Sequence, residues 1–472
     1  MLIYGIKGKC PMAETKEYEG SVADRLERLP FSKFHRNFLL MLTSGEWAES
    51  LMLLGNGAIL GLVATFYGLT GAYAAYALPA PFFIGEFFGS FIFGRLADRR
   101  GRKMVFLYNQ LIFGAGMLLA GFMPYWELIA VFVFIGGIGV GGEFPLVDSY
   151  GTEVFKGQQR GKRLAMIYTL AVTAAPIIVY ITSITAKVGP LTNGIGLYSF
   201  KIPLWIMGIA GFVVWALRLR LRESPRWLET QGRYKEADQI MSDIEGSVKK
   251  DHNLKELPPL LHNTPVVENK SRFKDIFAPD IRKTTLMMII FMFFQSGIFY
   301  GFTTFAPGII SSQYTHLNDP LGYAAVIFSG FLVGSIFNIF IIDKIERRLG
   351  IIGFAILGGV FGTLFVVVNN IFEAVGFGFM AAFSLWNFSN FYHQYNAEIF
   401  PTRLRTTAAG FVYSISRFST AVLVIIIAAF FKPLGNAAIF GFIWVLVAIC
   451  VAVLLVLGPS QTSGIAVEEI SN

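Results

Sequence analysis

The sequence predicts an all-α membrane protein, with twelve transmembrane helices in two pseudo-symmetric six-helix bundles. Apolar residues gather into blocks of about 20, the length a helix needs to cross hydrocarbon. Only 15% of the 472 residues are charged, against 54% hydrophobic, and 47 are Phe; a soluble domain carries about 25% charged residues. The polar residues between blocks also recur at one constant offset along the chain.

Residues 1–35 are polar, mixed in charge and without an apolar core, so they read as a cytoplasmic N-terminal segment and not a cleavable leader. Six apolar runs follow near 36–65, 74–94, 104–122, 127–150, 163–187 and 200–219, making an N-terminal bundle over 36–219. Segment 220–283 is hydrophilic. Its stretch 224–246 predicts a short amphipathic helix opened by Ser224-Pro225, and 256–265 reads as Pro-rich linker. Six more runs lie near 284–310, 320–343, 351–369, 372–396, 404–431 and 434–458, a C-terminal bundle over 284–458 with a cytoplasmic tail at 459–472.

Basic residues set the orientation, because short cytoplasmic loops are enriched in Lys and Arg. Alternate connections hold Arg25, Arg28, Lys33 and Arg36; Arg95, Arg99, Arg100, Arg102 and Lys103; Lys156, Arg160, Lys162 and Arg163; Lys344, Arg347 and Arg348; Arg403 and Arg405. The other side holds Lys187, Lys201 and Lys432. Both termini are therefore expected in the cytoplasm. The net charge of +8 is spread over these loops, so it points to a bilayer partner and not to nucleic acid.

The halves share their punctuation. Asp98, Arg102 and Lys103 after the second run correspond to Asp343, Arg347 and Arg348 after the eighth. Tyr150, Glu153 and Arg160 correspond to Tyr395, Glu398 and Arg405, and Tyr168 to Tyr413. Every pair stands 245 positions apart, which implies duplication; parallel six-span halves are one known transporter plan. Acids facing Arg on neighbouring turns can form charge-assisted bonds between helices. Asp98, Arg102, Glu153, Arg160, Asp343, Arg347, Glu398 and Arg405 are accordingly candidates for gating the cytoplasmic face.

Charges within spans are costly, at least ~2.5–3.5 kcal/mol each, and usually face a cavity. At about 1.5 Å per residue, Glu46, Glu49, Glu143 and Arg417 fall near the bilayer centre, and Arg417 is expected to be the one deeply buried base. Glu86, two turns from Arg95, is a further buried acid of the first half, for which a gating role is as open as a place among the carboxylates facing Arg417. A guanidinium binds a carboxylate or phosphate bidentately, so Arg417 is the candidate anion ligand, and Glu46, Glu49 and Glu143 are candidates for proton coupling. The same residues could instead form permanent ion pairs. Tyr300, Gln295, Trp386, Asn387 and Asn390 are further candidates to line a substrate site, and His393 reads as structural. Gly137-x-Gly139-x-Gly141-Gly142 follows no strand and reads as helix packing. Cys10 and Cys450 stand far apart, and no zinc spacing, Walker sequence or nucleophile elbow occurs. No metal, cofactor or enzymatic activity is expected, and a monomer is the expectation.

Gly94-Arg95-Leu96-Ala97-Asp98-Arg99-Arg100-Gly101-Arg102-Lys103 closely resembles the loop signature of the major facilitator superfamily, and Arg222-Glu223-Ser224-Pro225-Arg226-Trp227-Leu228 resembles the sugar-porter motif. Residues 29–35, Gly136 to Leu146, and Asn387-Phe388-x-Asn390 with Glu398-Ile399-Phe400-Pro401-Thr402-Arg403 are similar to the metabolite–proton symporter branch, which includes aromatic-acid and phosphate symporters. The resemblance covers essentially the whole chain. It implies a proton-coupled, alternating-access secondary transporter in the plasma membrane, with Arg417 as an anion ligand and Glu46-x-x-Glu49 in place of the family's D-x-x-D. The family's acid in span seven is replaced near Ser296, its Asp in span four is Glu143, and Glu346 stands where a Gly is usual. A small organic anion is therefore expected in preference to phosphate. The alternatives are a sugar or neutral-solute porter and a non-transporting receptor on the same fold.

Overall fold

Hydrocarbon offers no partner to a peptide group, so a spanning chain must satisfy its own backbone. The computed structural model describes residues 21–70, 79–260, 273–279, 281–315, 317, 319–342, 344–400 and 405–459, with only the backbone of residues 98, 152, 157–160, 397, 405 and 406. Among these residues twelve helices are long and apolar enough to cross a membrane.

The first half comprises α2 (Lys33–Phe66), α3 (Pro79–Arg100), α4 (Arg102–Phe122), α5 (Trp126–Gly141) continued by α6 (Glu143–Val154), α7 (Gly157–Ala171) continued by α8 (Ala174–Thr185), and α9 (Tyr198–Arg218), preceded by the short α1 (Val22–Glu27). A two-residue hairpin, β1 (Leu191–Thr192) with β2 (Ile195–Gly196), joins α8 to α9. The second half comprises α12 (Arg282–Gln313), α13 (Pro320–Ile341), α14 (Arg347–Val367), α15 (Ile371–Glu398), α16 (Arg405–Ile426) and α17 (Asn436–Leu457). Between the halves stand α10 (Pro225–Thr230) and α11 (Tyr234–His252).

Three local features differ from the sequence expectation. Segment 224–246 is two helices, because Gly232 turns the chain at φ +73° between them. The fourth span is interrupted at Gly142 and the fifth at Val172–Thr173. The eleventh ends in a π-helical turn, Ile427–Phe431, a device common at functional sites.

The linker helices are docked, not free. Trp227, Leu228, Met241 and Ile244 form an apolar cluster with Val22 and Leu26 of α1. Arg25 bonds Asp238 at 2.6 Å and Glu245 at 2.8 Å, and Arg28 bonds Glu245 at 2.7 Å. Glu223 reaches across to the start of α4 and accepts the backbone N–H of Arg102 at 2.7 Å. That carboxylate stabilises the positive end of the helix. Gly101 precedes it at φ +100°, and a Cβ there would strike the Glu223 carboxylate.

Within the first half, the glycine run packs α5 onto α3. A Cβ on Gly137 would overlap the Phe82 carbonyl oxygen, and one on Gly141 the Glu86 carbonyl oxygen. The two halves meet where α2 packs on α12, α3 on α16, and α8 on α13. Small residues at such contacts let helices approach closely in lipid. Gly141→Leu is therefore expected to lose at least the 1–3 kcal/mol typical of overpacking, seen as a lowered melting temperature in detergent, whereas Gly441→Leu, with open space around it, leaves it unchanged.

Candidate functional site

Arg417 projects from α16 at the seam between the halves and is 2% exposed. Its guanidinium donates to the hydroxyls of Tyr300 on α12 and Tyr413 one turn away on α16. Its Nε lies 3.8 Å from Glu86 Oε1 on α3, the opposite half, and Glu86 is 1% exposed. The rings of Tyr413, Tyr300 and Phe144 lie 4.7, 5.2 and 5.7 Å from the guanidinium carbon. Cation–π attraction is strengthened when the ion is desolvated. The expectation of a solvent-reachable guanidinium is corrected here, since neighbouring helices cover it. Its surroundings are nevertheless hydroxyls, a carboxylate and aromatic faces. Glu86 stands beside this guanidinium.

The acids of α2 are more isolated. Glu46 and Glu49 are fully buried on one helix face, and neither carboxylate has a hydrogen-bond partner among the described residues. Glu143, by contrast, accepts from Arg218 Nη1 at 2.8 Å and also from Nη2, with both side chains fully buried. Arg417 is thus not the only deeply buried base, as the sequence suggested. Arg218 ends α9 in the alternating run Arg218-Leu219-Arg220-Leu221-Arg222, a pattern that reads as a surface. Its burial is decided by Glu143 opposite, by the Phe106 ring 4.5 Å away, and by Gly45, where a Cβ would overlap both ions of the pair.

The remaining candidates divide. Gln295 donates to Ser416 Oγ at 3.1 Å, beside Arg417 on α16. Trp386 packs between Phe299 and Phe331, with ring centroids at 6.1 and 5.7 Å. Asn387 accepts from Asn338 Nδ2 on α13 at 3.1 Å and donates to the Phe383 carbonyl, so it joins two helices of one bundle. Asn390 donates to the Trp386 carbonyl of its own helix.

Toward the basic face an aromatic layer crosses the seam. Phe144 and Tyr168 of the first half lie against His393 and Tyr413 of the second, with centroids 5.4–6.2 Å apart. Tyr168 donates to Asp148 at 2.5 Å, and Thr169 bonds Ser335 across the seam at 2.8 Å. Two clefts between the halves end short of Arg417. One of about 290 Å³ on the basic face is lined by Ser90, Ser149 and Ser414. The other, about 510 Å³ on the opposite face, is lined by Gly57, Thr304 and Val424.

The repeated ion pairs occupy equivalent places. Arg102 bonds Glu153 at 3.1 Å and also the Ala97 carbonyl; Arg347 bonds Glu398 at 3.2 Å and also the Ile342 carbonyl. Both pairs lie within a half. Asp343 lies outside the described residues, as do the side chains of Asp98, Arg160 and Arg405.

Residues 62–472 match the family model described as Sugar (and other) transporter. The chain belongs to this family. It is 27% identical to the inner membrane metabolite transport protein YdjE of Escherichia coli (strain K12), over 96% of this chain and 99% of that protein. It is 22% identical to the niacin transporter NiaP of Acinetobacter baylyi, over 95% and 99%. Its fold matches a partially occluded, inward-open structure of the xylose transporter XylE from E. coli with a TM-score of 0.74, at 16% identity, covering 92% of this chain and 100% of that one. The fold is that of the major facilitator superfamily, and the protein is a multi-pass protein of the plasma membrane.

In this family member Glu86, Tyr413 and Phe144 surround Arg417 while Arg218 holds Glu143, and sequence reading did not anticipate the contacts of Tyr413, Phe144 and Arg218. One signal for Arg218 was available, since a deep Glu143 in the same half needs a base. Breaking a buried ion pair on one side costs about 3–5 kcal/mol, whereas replacing both partners with apolar residues is often neutral. Arg218→Met is therefore expected to destabilise the protein by that amount in detergent unfolding, and the Glu143→Leu/Arg218→Met double variant to recover most of the loss.

Proposed function

We propose that this transporter moves a small organic anion together with protons by alternating access, with Arg417 as the anion ligand. One observation carries the reading. A buried guanidinium at the seam is held by two tyrosine hydroxyls, neutral groups that an incoming carboxylate can replace with a stronger charge-assisted bond. Glu86 serves as the counter-ion when the site is empty. Glu46 and Glu49 take the proton-coupling role, because their carboxylates are uncommitted, whereas Glu143 is held by Arg218. The niacin named for the Acinetobacter relative is itself a carboxylic acid. By the positive-inside rule the basic face is cytoplasmic, and the aromatic layer of Phe144, Tyr168, His393 and Tyr413 closes the path to that side.

A sugar or neutral-solute porter is the second reading, favoured by the description of the matched family and by the xylose transporter fold. The two are separated by Arg417→Gln in proteoliposomes. On the anion reading, uptake efficiency for organic acids falls roughly 10- to 100-fold, the equivalent of a charged hydrogen bond. Undiminished uptake of a neutral solute would favour the second. Binding without flux for every solute would indicate a receptor.

Proton coupling has its own test. Glu46→Gln and Glu49→Gln are expected to abolish accumulation driven by a pH gradient while sparing exchange of substrate down its gradient. Accumulation surviving both substitutions would remove these residues from the mechanism.

A further inference from the structure

On the basic face, a cavity of about 440 Å³ opens between the start of α2, the chain leaving α9, and α11. Lys33, Arg220, Arg222 and Lys250 stand around it, and Phe38 and Ile244 belong to its apolar floor. The acids among its walls are already engaged. Asp251 lies 3.5 Å from Lys33 Nζ and accepts the Lys33 backbone N–H. Glu223 accepts the backbone N–H groups of Arg102 and Ser224. Arg222 pairs with Asp243 at 2.8 Å. The side chains of Arg220 and Lys250 are exposed and have neither an ion-pair nor a hydrogen-bond partner among the described residues.

Leu40 on α2, together with Leu217 and Leu219 at the end of α9, presents exposed apolar surface beside this cavity. A lipid-facing wall therefore meets a basic rim and an apolar floor at the membrane boundary. A soluble anion would use only the rim. An anionic phospholipid would use all three, placing its phosphodiester between the two free cations and its glycerol and upper acyl chain against the floor. Basic pockets at this level of a membrane protein hold anionic headgroups, and each Lys or Arg near the surface strengthens the attraction.

We infer that the cavity between α2, α9 and α11 binds the headgroup of an anionic phospholipid through Arg220 and Lys250, and that the bound lipid braces the linker helix α11 against the first bundle.

Binding of phosphatidylglycerol to the purified full chain, followed by native mass spectrometry and by thermal stability in detergent, tests this. The wild type is expected to bind phosphatidylglycerol in preference to phosphatidylcholine and to be stabilised by it. In Arg220→Gln/Lys250→Gln that affinity falls roughly thirtyfold, and Arg220→Lys/Lys250→Arg retains it. Arg282→Gln/Lys283→Gln, which removes two exposed charges from the same face, also retains it. Equal binding of the two lipids, or an equal loss in the Arg282/Lys283 variant, would overturn the site. Displacement of phosphatidylglycerol by millimolar inorganic phosphate or glycerol 3-phosphate would overturn the lipid assignment in favour of a soluble anion.

Discussion

A charge in hydrocarbon is tolerated only when a partner, a cavity or an aromatic face compensates its lost hydration. Two buried arginines meet this constraint in different ways. Arg218 and Glu143 satisfy each other within the first bundle, and the pair fits only because Gly45 brings no side chain to the space it fills. Arg417 is compensated differently. Two neutral hydroxyls, three aromatic faces and a carboxylate at 3.8 Å surround it. The first arrangement is closed on itself, and the second holds the guanidinium by neutral hydroxyls and a carboxylate 3.8 Å away.

The seam amplifies this difference. Arg417 and Tyr300 belong to the second half, Glu86 and Phe144 to the first, so whatever occupies the guanidinium acts on contacts between the bundles. Tyr413 bonds Arg417 and also lies in the aromatic layer toward the basic face. A ligand that takes the place of its hydroxyl therefore touches the contact that separates the centre from that face. Packed rings change arrangement in discrete steps, and such steps are what a rocking mechanism needs.

Duplication supplies a symmetric frame, and function departs from it. Arg102 with Glu153 and the Ala97 carbonyl is repeated by Arg347 with Glu398 and the Ile342 carbonyl, residue for residue at the constant offset. These clusters tie helix ends together inside each bundle. At the centre the symmetry is lost, since Val172 stands where the first half would repeat Arg417. Acids crowd the first half, while the guanidinium at the seam comes from the second.

Apolar runs and loop charges alone determined the number of spans and the pairing of the halves, because hydrocarbon thickness and backbone satisfaction leave little else for runs of about 20 apolar residues. The depth of Glu46, Glu49, Glu143 and Arg417 followed from helix rise. Partnership did not, because it depends on how helices rotate and cross, and no local pattern encodes that. Tertiary packing alone brought Glu86 to Arg417, buried Arg218 against Glu143, left Glu46 and Glu49 without hydrogen bonds among the described residues, and kept the Arg102–Glu153 and Arg347–Glu398 pairs within their own bundles. Burial and pairing arise between elements distant in the chain, and only their packing decides them.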